Sequence, residues 1–304
     1  MTDRAGAGRY APSPTGELHL GNLRTAVLAW LFARSTGRAF LLRIEDLDTG
    51  RVRPGLAEQQ VADLTALGLD FDGVPMVQSQ RSAAYAAALA GIADRTYECF
   101  CTRREIAEAA SAPHGRAARY PGTCRGLTTS QRAERRRTRT PALRLRADGA
   151  TQTVQDLLHG PVTGQVDDFV VRRNDGVAAY NLAVVVDDAE SGVDQVVRGD
   201  DLLPSAVNQA YLAGLLGHPA PIYAHVPLAV NAQGRRLAKR DGAVTLTDLA
   251  AHGISPVEVL GLIAESLGWP APGRPAELLA RFDPARLPRD PWVVHPAAAL
   301  KSQP

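Results

Sequence analysis

Apolar and polar residues alternate in blocks of strand and helix length over residues 1–95. A short strand around Arg9 runs into a loop broken by proline and glycine, and apolar residues then recur at helical spacing over 22–36. The compact apolar run Ala39 to Ile44 predicts a second strand, and two more helices are predicted between Pro54 and Gly68 and over 82–92. Strands that alternate with helices in this way predict an α/β fold with a parallel sheet.

The alternation is interrupted over 96–166, a stretch that holds the cysteines and a basic run. Apolar strands return after Phe169, notably at Leu182 to Val186 and Val193 to Val197, and a helix is predicted over 205–216. We therefore expect a split α/β domain with an insertion. Its predicted parts are a first half over 1–95, an inserted subdomain over 96–166, a second half over 167–240 and a helical C-terminal segment over 241–304.

Composition and charge exclude several classes of protein. The chain has 304 residues with 34 Lys and Arg against 32 Asp and Glu, so it is not a polycationic nucleic-acid coat. Its N-terminus lacks a signal-peptide core, and no apolar run approaches the roughly 20 residues that cross a bilayer. We expect a cytoplasmic protein with no membrane partner. Three cysteines do not make a disulfide framework and favour free thiols or a metal site.

Residues 9–22, RYAPSPTGELHLGN, form the most informative motif. A rigid polar loop precedes a helix start at His19, where unpaired N–H groups and the helix dipole suit a nucleotide phosphate. Gly21 would let adenine or ribose approach the backbone, Asn22 ends the motif, and His19 would supply a neutral donor. A histidine that only caps the helix is the alternative. Far along the chain, Lys239 lies in a polar loop from which it would reach the same phosphates.

Three acids, Glu45, Asp46 and Asp48, follow the second strand. A carboxylate at the C-terminal end of a parallel strand faces the crevice where such sheets bind ligands, so Glu45 is predicted to pair with an α-amine. Asp46 and Asp48 are assigned to caps or salt bridges. Arg9 would supply a fork for a carboxylate, and an arginine beside an acid on neighbouring strand ends suits glutamate.

A third group of candidates surrounds the strand that ends at Arg198. Its guanidinium would hold a second carboxylate in bidentate fashion, and Tyr180 would donate its hydroxyl in the same pocket. A half-buried core aromatic is the alternative for Tyr180. Asp187 and Asp188 are interpreted as turn caps, because the chemistry proposed below needs no general base from the protein.

Three cysteines close in sequence, Cys99, Cys101 and Cys124, predict a zinc site that lacks one ligand. Tyr120 or His114 would complete the shell, and general coordination chemistry favours the histidine. Three unligated thiols are the alternative. The arginine-rich run over 132–139 is equally compatible with phosphate contacts and with a solvated helix face.

These motifs, taken in order, resemble the glutamyl and glutaminyl branch of class I aminoacyl-tRNA synthetases. The matching strings are RYAPSPTGELHLGN over 9–22, RIEDLD over 43–48, CFC over 99–101, YPGTCR over 120–125, AYNLAVVVDD over 179–188, VRGDDL over 197–202 and RLAKR over 236–240. Arg236 and Ala238 depart from the lysine and serine that the branch usually has there. The gap before Tyr120 is also long for this family.

The resemblance implies a Rossmann-like parallel sheet and a set of ligand-binding residues. It implies glutamate binding by Arg9, Tyr10, Ala11, Pro12, Ser13, Glu45, Tyr180 and Arg198. It implies ATP binding by His19, Gly21, Asn22 and Lys239, with His19 and Lys239 as the catalytic pair and Mg²⁺ bound with ATP. It implies one zinc ion held by Cys99, Cys101, Tyr120 and Cys124, which favours Tyr120 over His114.

The resemblance also implies an activity. The chain ends soon after Arg240, and we expect no anticodon-binding domain, which is typical of the shorter members that attach glutamate to queuosine in tRNA(Asp). The expected reaction is tRNA-independent activation of L-glutamate by ATP, then transfer to that queuosine, by a monomer. Two alternatives are a truncated enzyme that charges the 3′ end of tRNA and an inactive tRNA-binding module derived from a synthetase.

Overall fold

A computed structural model describes residues 6–102, 104–106, 119–237 and 244–294. The first part of the chain comprises β1 (Ala7–Tyr10), α1 (Leu20–Ser35), β2 (Ala39–Ile44), α2 (Leu56–Ala66), β3 (Met76–Val77), α3 (Ser82–Gly91) and β4 (Thr96–Cys99). The middle comprises α4 (Thr129–Arg136), β5 (Ala142–Leu145), β6 (Thr151–Asp156), β7 (Gly160–Gln165) and β8 (Val170–Arg172). The remainder comprises α5 (Tyr180–Glu190), β9 (Val193–Gly199), α6 (Leu203–Leu215), β10 (Ile222–Val226), β11 (Ala229–Val230), α7 (Leu246–Ala251), α8 (Pro256–Glu265), α9 (Pro275–Leu279) and β12 (Trp292–Val293).

A seven-stranded sheet in the order β3-β2-β1-β9-β10-β6-β7 forms the centre of the molecule. Its strands are parallel except for β7, which pairs with β6 in an antiparallel hairpin at one edge. The predicted α/β class with a parallel sheet is therefore confirmed. Because β1, β2 and β9 are neighbours, their carboxyl ends meet at the middle of the sheet, where such folds bind ligands.

Helix α1 lies in the core rather than on the surface. Its apolar residues are buried on nearly all sides, which is typical of a helix packed between two layers. One side contacts the sheet, and the other packs against the C-terminal helices, where the rings of Phe32 and Phe282 meet edge to face at 4.9 Å. The buried Arg24 donates to the Pro227 carbonyl and to Ser266 Oγ. This packing holds the N-terminus of α1 in a fixed position at the sheet edge.

A small antiparallel sheet, β4-β5-β8, lies outside the main sheet and carries the cysteine region. The hairpin β6-β7, which precedes residue 166, joins the main sheet, whereas β8, which follows residue 166, belongs to the small sheet. The predicted division into 1–95, 96–166, 167–240 and 241–304 stays a prediction. Within the part of the chain that the structure describes, no helix is both long enough and apolar enough to cross a bilayer.

One predicted strand is wrong. Leu182 to Val186 belongs to helix α5, and all five residues are buried. A short continuous apolar run fits a buried helix as well as a buried strand, because neither shows a polar face that would reveal its period. The prediction that Asp187 and Asp188 cap a turn is also wrong, because both residues lie within this helix.

Candidate active site

A cleft of about 1030 Å³ opens at the carboxyl ends of the central strands. Ser13 and Glu45 line it on the side of β1 and β2, and Tyr180 and Asn181 line it at the start of α5. Cys99, Cys101 and the segment around Arg139 line its far end. The cleft therefore runs from the predicted glutamate site to the cysteine region.

His19 is the N-cap of α1 and has a defined tautomer. Its Nδ1 accepts from the backbone N–H groups of Gly21, at 3.1 Å, and Asn22, at 3.3 Å, and Asn22 Oδ1 accepts from the His19 N–H at 3.2 Å. The ring proton of the neutral form must then reside on Nε2, where it is available to a ligand. Burial, together with Arg236, lowers the pKa of His19 to about 4. His19 is thus both a helix cap and a neutral donor.

Gly21 is required by packing at the same helix start. A Cβ at this position would lie 2.9 Å from the Ala229 Cβ and 3.1 Å from the His19 ring. Glycine therefore lets α1 begin close against β11, whether or not a nucleotide also approaches there.

The loop after β1 is held by contacts from two other elements. The buried Gln60 of α2 donates its Nε2 to the carbonyls of Ser13, at 3.1 Å, and Gly16, at 2.6 Å, and the Glu45 N–H donates to the Pro12 carbonyl. Among the predicted glutamate ligands of this loop, Pro12 is buried and Ala11 is half-buried. The buried Tyr10 donates its hydroxyl to the Asn22 carbonyl, and burial raises its pKa.

Arg9 and Glu45 belong to a series of contacting side chains whose charges alternate in sign. Asp188 Oδ1 accepts from Arg43 Nη1 at 2.5 Å and from Arg9 Nε at 3.3 Å. Arg43 Nη2 in turn lies 3.1 Å from Glu45 Oε1. This series of contacts thus connects Arg9, the predicted partner of a carboxylate, through Asp188 and Arg43 to Glu45, the predicted partner of the α-amine. Arg43 and Asp188 were not among the residues predicted from the sequence.

The pKa values of the two carboxylates in this series, Asp188 and Glu45, are shifted in opposite directions. Burial alone would raise the pKa of Asp188, but Arg43 and Arg9 hold it below its usual value. Burial outweighs the attraction of Arg43 and Arg9 at Glu45, so its pKa is raised. A cationic group bound beside Glu45 would therefore stabilise the charged form of that carboxylate.

Asp187, the residue before Asp188 in α5, has buried partners of its own. Its carboxylate accepts from Arg81 Nε at 2.6 Å, from Gln78 Nε2 at 2.7 Å and from the Tyr85 hydroxyl at 2.9 Å. Asp187 and Asp188 are therefore buried structural ions of α5, and not turn caps. Asp46 accepts from the Ser79 N–H and hydroxyl, 33 residues along the chain, a contact that differs from the expected cap or salt bridge.

Arg198 and Tyr180 differ in exposure. Arg198, at the end of β9, is buried, and its guanidinium donates to Gln209 Oε1 at 2.7 Å and to His225 Nε2 at 3.0 Å. Tyr180 is the first residue of α5, is 40% exposed and lines the cleft, so it is not a core aromatic. Gln209 also donates to Asn181 Oδ1, which connects Arg198 to the cleft lining.

Lys239, Ala238 and His114 lie outside the described residues. The segments that flank Lys239 are nevertheless anchored beside His19, because the Leu20 N–H donates to the Val244 carbonyl at 3.0 Å and Leu237 is buried in the core. Arg236 forms an ion pair with Asp201, with 2.5 Å between Nη1 and Oδ2.

The cysteine sulfurs converge as expected for a metal site. The Sγ atoms of Cys99, Cys101 and Cys124 all lie within 4.8 Å of one another, with 3.6 Å between those of Cys101 and Cys124. The Tyr120 hydroxyl oxygen lies 3.4 Å from Cys99 Sγ and 3.8 Å from Cys101 Sγ. Thiolates that share one zinc at about 2.3 Å stand roughly 3.8 Å apart in a tetrahedron. The four side chains therefore fit a zinc ion.

Polar contacts favour the thiolate form of Cys124, but burial opposes that of Cys101. Burial alone would raise the pKa of the Cys124 thiol, but the Phe100 N–H and the Tyr120 hydroxyl hold it below its usual value. Arg135 Nη1 also lies 3.4 Å from Cys124 Sγ. Burial raises the pKa of Cys101 to about 11, so a metal would have to displace its proton.

The arginine-rich run is largely engaged within the protein. It overlaps the second half of α4, and Arg136 pairs with Glu98, Arg137 with Glu134 and Arg139 with Glu105. With Arg135 on Cys124, these contacts favour the structural interpretation over a phosphate-binding face.

Comparison with known proteins agrees with this arrangement. The family of class I tRNA synthetases (E and Q), catalytic domain, matches residues 7–284. The glutamate tRNA ligase of Elizabethkingia meningosepticum, crystallised with its amino acid, superposes with a TM-score of 0.79 at 27% identity over 96% of this chain and 67% of its own. The glutamate-tRNA synthetase of Elizabethkingia anophelis gives a TM-score of 0.80 at 27% identity, over 96% and 68%. Fold and site therefore define a class I aminoacyl-tRNA synthetase.

Curated relatives narrow the class further. The Glutamyl-Q tRNA(Asp) synthetase of Nocardia farcinica is 64% identical over 95% of this chain and 93% of its own length. The protein of that name from Cutibacterium acnes is 54% identical over 91% and 80%. The chain belongs to the glutamyl and glutaminyl branch of class I synthetases, in the group whose members carry this name.

Proposed function

We propose that this enzyme activates L-glutamate with ATP. An oxygen of the glutamate α-carboxylate attacks the α-phosphorus, and pyrophosphate leaves with Mg²⁺, which gives glutamyl-adenylate. The observation that carries the proposal is the juxtaposition of a buried arginine, Arg9, with the carboxylate of Glu45, whose side chain is 11% exposed and lines the cleft at the end of a parallel sheet.

Glutamate has one ammonium and two carboxylates, and the site offers one group for each. Glu45 would accept from the ammonium. Arg9 and Arg198, both buried, would each donate to a carboxylate, and the hydroxyl of Tyr180 lies at the cleft wall. Ser13 and the backbone of residues 10–12 would contact the amino acid from the loop side. A ligand with no acidic side chain would leave the remaining N–H groups of one buried guanidinium without a carboxylate acceptor.

The chemistry requires positioning and charge stabilisation rather than proton transfer. The Nε2–H of His19 and the N-terminus of α1 at Gly21 and Asn22 would donate to phosphate oxygens, and Lys239 would supply a positive charge. A neutral His19 suits this role because it donates one hydrogen bond without a competing charge.

The second step would transfer glutamate to queuosine in the anticodon of tRNA(Asp). A hydroxyl of the cyclopentenediol of queuosine would attack the glutamyl carbonyl, and AMP would leave. Support comes from the name shared by the relatives that are 64% and 54% identical. We further propose that the enzyme works as a monomer in the cytoplasm.

A zinc ion would be held by Cys99, Cys101, Tyr120 and Cys124. The separations of these atoms fit a tetrahedral ion, which supplies structural stability to the insertion rather than chemistry. Cys99 ends β4 of the small sheet, whereas His19 and Glu45 follow strands of the main sheet, so zinc would support tRNA contacts more than adenylate formation.

Glutamate-dependent exchange of pyrophosphate with ATP tests the first step. The proposal predicts exchange with L-glutamate in the absence of tRNA, and little with L-aspartate or L-glutamine. Exchange that requires tRNA would contradict tRNA-independent activation. No exchange with or without tRNA would favour an inactive tRNA-binding module.

A further inference from the structure

A buried aspartate and histidine lie directly behind Arg198. Asp156 ends β6, and its carboxylate accepts from the backbone N–H groups of Leu158, at 2.8 Å, and His159, at 2.9 Å. The same carboxylate lies 3.0 Å from the His225 N–H and 2.6 Å from His225 Nδ1. Asp156 is thus fixed by the hairpin turn, and it fixes His225 on the neighbouring strand β10.

Two contacts define the protonation of His225. A carboxylate at Nδ1 requires the proton there, and an arginine Nε–H aimed at Nε2 from 3.0 Å requires a lone pair there. Both contacts select the neutral tautomer with hydrogen on Nδ1. Burial, which exceeds the opposing effect of Asp156, also lowers the pKa of His225.

The remaining contacts of Arg198 leave part of its guanidinium free for a ligand. Nη1 donates to Gln209 Oε1 at 2.7 Å and Nη2 to the Leu202 carbonyl at 3.3 Å. With Nε on His225, three of about five N–H groups are used, and one remains on each Nη. The contact at Nε holds the planar group at a third position, in addition to the contacts at Nη1 and Nη2.

We propose that Asp156 and His225 are positioning residues, which orient the Arg198 guanidinium so that its two remaining N–H groups meet a glutamate carboxylate. This inference rests on the proposed function, in which Arg198 binds glutamate. A buried carboxylate and imidazole cost desolvation that an apolar pair would avoid, which fits a role in orienting Arg198 better than one in packing.

Kinetics of pyrophosphate exchange with the full chain test the inference. His225→Phe keeps a ring of similar size in the core but removes both nitrogens. We expect the glutamate KM to rise about tenfold, the scale of one lost hydrogen bond to a charged group, with the ATP KM and kcat within about twofold of wild type. His225→Gln, which keeps an acceptor near the Nε2 position, should restore most of the lost affinity.

The matched control is His159→Phe, whose glutamate KM should not change. Among the described residues, the His159 side chain hydrogen-bonds to the backbone carbonyl of His225, and the contact of His159 with Asp156 is made by its backbone N–H, which the substitution keeps. A lower melting temperature with an unchanged glutamate KM in His225→Phe would show a purely structural role and overturn the inference. If His225→Phe does not fold, Asp156→Asn decides in the same way, because it keeps the shape and removes the charge that selects the tautomer.

Arg198→Ala distinguishes the proposed binding of glutamate by Arg198 from the proposed positioning of Arg198 by His225. An unchanged glutamate KM in Arg198→Ala would remove Arg198 from the proposed glutamate site itself. A raised KM in Arg198→Ala with a normal KM in His225→Phe would overturn the positioning role alone. The double variant Arg198→Ala with His225→Phe should have the glutamate KM of Arg198→Ala, because His225 acts through that guanidinium.

Discussion

Asp188 and Arg43 form a buried ion pair, with 2.5 Å between Oδ1 and Nη1, although 145 residues separate them in sequence. The pair joins α5 to β2, and the same Asp188 oxygen also contacts Arg9 on β1. A residue of α5 therefore balances charge on two strands of the proposed glutamate site.

Asp188→Asn should weaken both stability and glutamate binding. Removing one partner of a buried pair typically costs about 3 kcal/mol, and here Arg43 would keep Glu45 but lose its shortest ion pair, while Arg9 would lose the contact that orients it. We expect this loss in chemical denaturation and a glutamate KM raised on the order of tenfold in pyrophosphate exchange.

Asp194→Asn is the matched control for Asp188→Asn. Asp194 also pairs with an arginine, Arg38, but its side chain is 48% exposed, so the loss should stay below about 1 kcal/mol. Equal losses in the two variants would show that the pair Asp188 and Arg43 is no stronger than a surface ion pair.

His19→Asn distinguishes the cap from the donor. Asparagine is a good N-cap, so the melting temperature should stay close to that of wild type. The variant lacks the Nε2–H, however, and kcat for adenylate formation should fall by about 10²-fold. A normal kcat in a stable His19→Asn protein would reduce His19 to a cap.

The same variant reports on pH. The pKa of His19 is about 4 in the folded protein, below the usual value of 6.5, so the unfolded chain binds more protons between these values. The free energy of unfolding should therefore decrease as the pH falls from 6.5 towards 4. In urea titrations at several pH values, His19→Asn should show a smaller decrease than wild type over this window; identical slopes would contradict the buried neutral histidine.

Lys239→Ala should lower kcat for adenylate formation by about 10²-fold or more, the scale for removing a preorganised charge at the transition state. Arg236→Ala is its comparison, because Arg236 already pairs with Asp201 and its side chain is 59% exposed. Its effect on kcat should be smaller. Equal effects in single-turnover measurements would give Arg236 a share of the phosphate role.

Zinc content tests the cysteine cluster. The purified protein should contain one zinc per chain, and Cys124→Ser should lose it together with stability of the insertion, because binding of a structural zinc is coupled to folding. Tyr120→Phe should weaken zinc retention in a chelator challenge followed by metal analysis, whereas His114→Ala should not. The reverse result would transfer the fourth ligand to His114.

Adenylate formation should survive loss of zinc better than transfer to tRNA does, since Cys99 ends a strand of the small sheet, whereas His19 and Glu45 follow strands of the main sheet. A zinc-free variant that stays folded by circular dichroism but loses pyrophosphate exchange would contradict this separation.

Local patterns in the sequence predicted the elements that carry the site. Strand β2 has the predicted bounds, Ala39 to Ile44, because a compact apolar run between polar segments is a strong local pattern. Arg9, His19 and Glu45 were singled out because each lies at the end of such an element. Leu182 to Val186 was mistaken for a strand because its burial on all sides hides the helical period.

Partners that meet only in the folded chain were not predictable in this way. Asp156 and His225 are 69 residues apart, and Arg43 and Asp188 are 145 residues apart. No local spacing pairs such residues. One indication was present for Arg43, since a charged residue in an otherwise apolar strand must find a buried partner.

The nucleotide that receives glutamate tests the central proposal most directly. Radiolabelled glutamate, ATP and the enzyme would be incubated with tRNA(Asp) that contains queuosine, and the labelled nucleotide identified after nuclease digestion. The proposal predicts label on the queuosine nucleoside and none on a matched tRNA(Asp) with guanosine at that position. Label on the 3′-terminal adenosine would contradict it and identify an enzyme that charges tRNA at its 3′ end.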